Sequence, residues 1–122
     1  MKEKVYCEAA AKVIPLRGGD VLSMNAKPGN VEVITTIGDS MEPTLRAGDM
    51  AVVDVSIDRI IDESVYFLSV DNMMLIKRVR WMPDGGVMLA SDNPTHKDVA
   101  LTRDHLKNLR VIGRLVCSVR KF

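Results

Sequence analysis

Two residues, Asp71-Asn72, separate the apolar run 65–70 from the run 73–81. A connection that short allows only an antiparallel hairpin, because parallel neighbours need a crossover of about a dozen residues or more. The rest of the chain is written in the same style. Residues 31–37 are largely β-branched and stop at Gly38, and residues 50–55 follow the turn Ala47-Gly48-Asp49. Residues 87–90 follow Pro83-Asp84-Gly85-Gly86, and residues 111–119 form a last apolar run. Residues 58–63 make a polar connection, 91–97 a loop around Asn93-Pro94, and 102–107 a single helical turn. No segment sustains a long helical period. The expectation is a compact, mainly β fold of six or seven strands.

The chain has 122 residues, which suits one domain, and 47% of them are hydrophobic, enough for a core. Residues 1–30 are expected to form an irregular arm ahead of a body at 31–122. The arm holds a short helix-friendly patch, Glu8-Ala9-Ala10-Ala11-Lys12, broken by Pro15 and Arg17-Gly18-Gly19-Asp20. A second loop, Asn25 to Asn30, follows. The formal net charge is +1, so no field across the chain attracts nucleic acid. Locally basic residues from Arg103 to Lys121 fit a solvated surface. Cys7 and Cys117 lie at opposite ends and match no metal motif or disulfide framework. Cys117 suits a small buried hydrophobe. No stretch reaches the roughly 18 apolar residues of a membrane span. Met1-Lys2-Glu3-Lys4 precedes no apolar leader segment, so a cytoplasmic location is expected.

The chemistry concentrates in Gly38-Asp39-Ser40-Met41-Glu42-Pro43-Thr44-Leu45, at the end of the run 31–37. A turn serine commonly caps a helix. Here Pro43 fits a first helical position, so Glu42 rather than Ser40 falls at the cap, and glutamate caps poorly. That leaves Ser40 on a tight loop with backbone N–H groups nearby. Its expected partner is Lys77. Strand alternation puts Met73, Leu75, Lys77, Val79 and Trp81 on one face and Met74, Ile76, Arg78 and Arg80 on the other. Lys77 is the one charge among large apolar groups. It either snorkels to solvent or is desolvated, and a desolvated lysine can become the neutral amine that takes a proton from a serine hydroxyl. Ser40 and Lys77 are therefore candidate nucleophile and base of a Ser–Lys dyad. His96 and His105 are expected to be exposed and not to compete for the role of base. No zinc spacing or glycine-rich phosphate loop is present, so neither metal nor cofactor is expected.

These blocks resemble the C-terminal domain of LexA and of LexA-like phage repressors, the S24 peptidase family. The similarity covers about residues 31–119. It runs through the serine block, Gly48-Asp49, Ile76-Lys77-Arg78-Val79, Ser91-Asp92-Asn93-Pro94 and Val111-Ile112-Gly113-Arg114-Leu115-Val116. The resemblance implies a β-rich domain that cuts its own chain. Ser40 then matches the nucleophile, Lys77 the general base, and the backbone N–H groups of Asp39 and Ser40 the oxyanion donors. It also implies a homodimer, activated RecA filament as co-protease, and operator DNA bound only through an N-terminal helix-turn-helix domain absent from this chain.

Two features depart from the family pattern. A hydroxyl residue often stands two positions before the lysine, where this chain has Leu75. The usual Ala-Gly or Cys-Gly scissile bond upstream of the serine is missing too. The only Ala-Gly is Ala47-Gly48, which leaves a removed segment or an arm bond such as Gly18–Gly19 as the cut site. Rival readings are a UmuD-like accessory protein of DNA-damage tolerance, a type I signal peptidase, disfavoured for want of an anchor, and a silent dimerisation module. The run 111–119 is apolar on both faces, which suits burial against a second subunit or within the monomer.

Overall fold

The computed structural model describes residues 10–13 and 30–120, with side-chain surroundings for 30–120. Eight strands form one antiparallel sheet. They are β1 (Ala10–Val13), β2 (Val31–Thr36), β3 (Met50–Asp54), β4 (Ser64–Val70), β5 (Met73–Trp81), β6 (Val87–Ala90), β7 (Val99–Leu101) and β8 (Leu109–Val119). Their spatial order is β1-β2-β3-β8-β4-β5-β6-β7. The mainly β expectation holds, with more strands than the six or seven anticipated.

The two added strands explain the difference. β1 lies within the segment expected to be irregular, on its helix-friendly patch. The free edge of β2 pairs it, with Ala10 opposite Thr36 and Val13 opposite Ile34. Ladder pairing outweighs the helical propensity of alanine and lysine, which a stretch this short cannot turn into a stable helix alone. β7 is only three residues long and pairs the edge of β6. Between β7 and β8 the expected helical turn is a short 3-10 helix, Arg103–Asn108. The break at Pro15 to Asp20, the loop at residues 25–29, Gly18–Gly19 and Cys7 lie outside the described residues.

The β4–β5 hairpin forms as the two-residue connection requires. Asp71 and Asn72 have φ of 51° and 67°, the left-handed pair of a type I′ turn. The register then runs unbroken from Val70 opposite Met73 to Ser64 opposite Val79.

Each face of the sheet carries its own apolar cluster, as a sheet covered on both sides requires. The first holds Ile34, Met41, Leu45, Val53, Phe67 and Ile76. The second holds Tyr66, Leu68, Val79, Val87, Leu89 and Val111. β8 runs through the middle, between β3 and β4, rather than along an edge. Its apolar character on both faces is therefore used within the monomer. Nor does its alternation run through. Against β4 the register shifts between the pairs Leu68–Val111 and Phe67–Gly113, so Ile112 and Leu115 both pack against the first cluster, and against β3 it shifts again at Val116, between Val53–Leu115 and Val52–Cys117. Tyr66, wholly buried, uses its hydroxyl to accept the Ile61 and Asp62 N–H groups at 3.1 and 3.2 Å. That pins the polar connection before β4 to the core.

Candidate active site

The serine segment leaves β2 through Gly38, whose φ of 82° is the left-handed backbone that glycine adopts without steric cost. No α-helix follows. Glu42 N–H donates to the Asp39 carbonyl at 3.1 Å and Leu45 N–H to the Met41 carbonyl at 2.9 Å. Met41 and Leu45, 2% and 0% exposed, plug the turn into the first cluster. The chain returns to β3 through Gly48, with φ of 92°, whose N–H donates to the Thr36 carbonyl at 2.8 Å. Thr36 N–H donates back to the Asp49 carbonyl at 2.8 Å. The buried Asp49 carboxylate accepts from Arg46 N–H at 2.9 Å and from the Arg120 guanidinium at 3.0 and 3.2 Å. Arg120 holds the Asp49 carboxyl below its ordinary range, by hydrogen bonding ahead of the opposing cost of burial.

Ser40 is half-buried on this turn. Among the described residues, neither its N–H nor that of Asp39 donates to an acceptor, and its hydroxyl makes no hydrogen bond. Its carbonyl accepts the Asn93 N–H at 3.0 Å. The Asn93 side-chain amide donates to the Asp39 carbonyl at 3.0 Å. His96 Nε2 lies 2.7 Å from Asp39 Oδ1. Thr44 donates its hydroxyl to Asp92 in a short hydrogen bond. Residues 92–96 thus clamp the serine turn from outside.

Lys77 is half-buried in the middle of β5. Its strand neighbours Leu75 and Val79 belong to the second cluster, as alternation anticipated. Burial pushes its pKa down, and the nearby Asp98 carboxylate partly opposes that. Its Nζ donates to Ser91 Oγ at 2.8 Å. The ladder explains this contact. Arg78 pairs with Ala90 in the β5–β6 register, so the next residue along β6 comes level with Lys77. Arg78, on the opposite face, forks onto Asp92 with bonds of 2.8 and 2.9 Å. Asp92 therefore joins the lysine strand to Thr44 of the serine turn. Its carboxyl is held down chiefly by the Arg78 hydrogen bonds.

Ser40 and Lys77 are gathered to one loop, since Asn93 binds one and Ser91 the other. Two residues of chain span at most about 7 Å. No hydrogen bond joins Ser40 to Lys77 directly. The sequence marked Ser91, Asp92 and Asn93 only as a block of likeness, without roles. His96 is exposed as expected, yet it touches the serine turn, so it does not stand apart from this site. The hydroxyl that position 75 lacks comes instead from Ser91. Among the described residues, no cluster of His, Cys, Asp or Glu suits a metal ion.

A family model described as Peptidase S24-like matches residues 5–116. An uncharacterized HTH-type transcriptional regulator of Haemophilus influenzae is 28% identical over 94 residues, covering 77% of this chain and 39% of that protein. The 26 kDa repressor protein of Escherichia phage HK022 is 30% identical over 93 residues, covering 75% of this chain and 39% of the repressor. The HTH-type transcriptional regulator PrtR of Pseudomonas aeruginosa is 39% identical over 56 residues, 46% of this chain and 22% of that regulator. The chain thus spans about two-fifths of the length of the first two relatives.

Proposed function

The chain belongs to the Peptidase S24-like family, and on that footing we propose that it is the self-cleaving Ser–Lys peptidase and dimerisation domain of a LexA-like or prophage repressor. In this reading, residues 31–122 are the catalytic body, residues 1–30 an arm or linker, and operator binding belongs to a helix-turn-helix domain outside this chain. The protein works in the cytoplasm as a homodimer, and activated RecA filament is the partner that promotes cleavage. The repressor and regulator names of its relatives support this setting. Among the described residues, no helix is long and apolar enough to cross a membrane.

The observation that carries the reading is a half-buried lysine with a lowered pKa, tied through one loop to a serine on a strand-end turn. Neutral Lys77 Nζ takes the proton of the Ser40 hydroxyl as Oγ bonds to the scissile carbonyl carbon. The negative charge moves to the carbonyl oxygen, which the Asp39 and Ser40 N–H groups receive. The C–N bond breaks, the amine leaves with the proton from Lys77, and water then hydrolyses the Ser40 ester. One observation favours a catalytically silent module instead: the lysine is bonded to Ser91 and not to Ser40. Self-cleavage of the full-length protein across pH 7–10 decides between them. Cleavage accelerates as Lys77 deprotonates, and both Ser40→Ala and Lys77→Ala abolish it. Cleavage by Lys77→Ala at the parent rate rules out the dyad, and an intact parent at every pH supports the silent module.

A further inference from the structure

We infer that Ser91 is a positioning residue for Lys77, its hydroxyl fixing the amine so that the lone pair is left free for the Ser40 proton. The inference rests on the dyad reading above and adds to it a residue that neither periodicity nor motif had given a role. A neutral amine has two N–H donors and one lone pair. In the structure Lys77 Nζ lies 2.8 Å from Ser91 Oγ, and with the amine as donor the contact occupies one N–H and spares the lone pair. An unanchored lysine side chain has four rotatable bonds and presents its lone pair in many directions, so an anchor of this kind raises the fraction of base that is correctly aimed.

Three features make Ser91 suited to this. It follows β6 directly, and the Arg78–Ala90 pair fixes its level against Lys77. Its own N–H donates to Asp98 Oδ1 at 3.1 Å, which holds the serine backbone and engages one oxygen of the carboxylate that partly opposes the fall in the lysine pKa. Asn93, two residues on, is bonded to the carbonyls of both Ser40 and Asp39, so the residue that aims the base shares a hydrogen-bonded loop with the one that braces the nucleophile. Leu75, two residues before Lys77 on the same strand face, has no polar atom to offer in place of Ser91.

The test uses a small fluorophosphonate, which needs an activated serine but no scissile bond, with the label located by mass spectrometry. The parent is labelled at Ser40, at a rate that rises with pH to a plateau. Ser91→Ala lowers that plateau at least about tenfold, while Ser91→Thr restores it to within a few-fold. Thermal midpoints of all three, measured alongside, remove a folding defect as the cause. An unchanged plateau in Ser91→Ala overturns the inference, as does a threonine variant as slow as alanine. A label on Ser91 overturns it too, by making Ser91 the nucleophile. Failure of the dyad reading looks different, since then the parent is unlabelled or Ser40→Ala is labelled as fast as the parent. In that event 13C relaxation of the Lys77 Cε still decides the matter. It must report an ordered side chain in the parent and Ser91→Thr and a mobile one in Ser91→Ala; equal order in all three sinks the inference.

Discussion

Asp92→Asn is the perturbation that reports most directly on how the two halves of the site are joined. The side chain stays the same size, but the charge that holds Arg78 by two bonds and receives the Thr44 hydroxyl is lost. Breaking a fully buried ion pair costs about 3–5 kcal/mol, and losing a surface pair about 0–1 kcal/mol. Asp92 is near the buried limit, with a side chain 13% exposed, whereas that of Arg78 is 36% exposed and can recover water. A loss of about 2 kcal/mol at pH 7 follows, or about 8 °C in Tm for a domain of this size. The sign with pH is fixed as well. The folded carboxyl has a lowered pKa, Arg78 being the main cause, so its stabilisation is present above the unfolded value of about 3.9 and disappears as pH falls through the folded value. Urea titrations at several pH values should therefore show a gap between parent and Asp92→Asn that is constant from pH 7 to about 5 and closes below about 4. Other carboxylates with lowered pKa, Asp49 and Asp62, lose stability in both proteins and cancel in the difference. A gap under about 0.5 kcal/mol at pH 7, or one that persists undiminished at pH 2, refutes this account of Asp92.

Leu45→Ala removes a wholly buried side chain that plugs the serine turn into the core; it should cost about 2–5 kcal/mol in urea unfolding. Asp49→Ala should lower the thermal midpoint well beyond Asp58→Ala. The first aspartate is buried and holds Arg46 N–H and Arg120, while the second has only a 4.0 Å contact with its exposed neighbour Arg59. Lys77→Met should raise the midpoint near pH 7, because it removes a charge that burial disfavours. That advantage should shrink as pH rises from the folded lysine pKa towards the unfolded value of about 10.4, where the amine is neutral in both states; a constant advantage across that range refutes it.

How far the sequence was legible varies with the range of the interaction involved. The β4–β5 hairpin was fully legible, since two left-handed turn residues and two apolar runs specify it locally. The face shared by Leu75, Lys77 and Val79 was legible for the same reason. β1 was not. Its residues favour a helix in isolation, and only the exposed edge of β2 makes them a strand. β8 was ambiguous in its composition, because a strand apolar on both faces looks the same at a subunit boundary as between two cores of one monomer. The bulge at Val116 was invisible to simple alternation, which assumes an unbroken ladder.

The site followed the same rule, and His96 and Ser91 make the point. Alternation assigned Lys77 its neighbours along β5, but a hydrogen-bond partner across the sheet depends on where β6 ends, a matter of one residue in register. If β6 and its loop were shifted by one residue, Asp92 rather than Ser91 would come level with Lys77. A carboxylate there favours the charged ammonium and raises the lysine pKa, the opposite of what a base needs. In the observed register the hydroxyl meets Lys77 and the carboxylate meets Arg78, a cation throughout the physiological range. One loop thus gives the titratable cation a neutral hydrogen-bond partner and the permanent one a charged partner, while Asp98 acts on Lys77 without a hydrogen bond. His96 then reaches Asp39 from the far side of the same loop, at 2.7 Å. Which side chains serve the site is therefore decided by the length of β6, and Gly86 helps to fix where that strand begins. A Cβ at Gly86 meets the Leu101 carbonyl oxygen at 2.4 Å, too close for two backbones to yield cheaply, so β7 can lie against β6 only with glycine at this position.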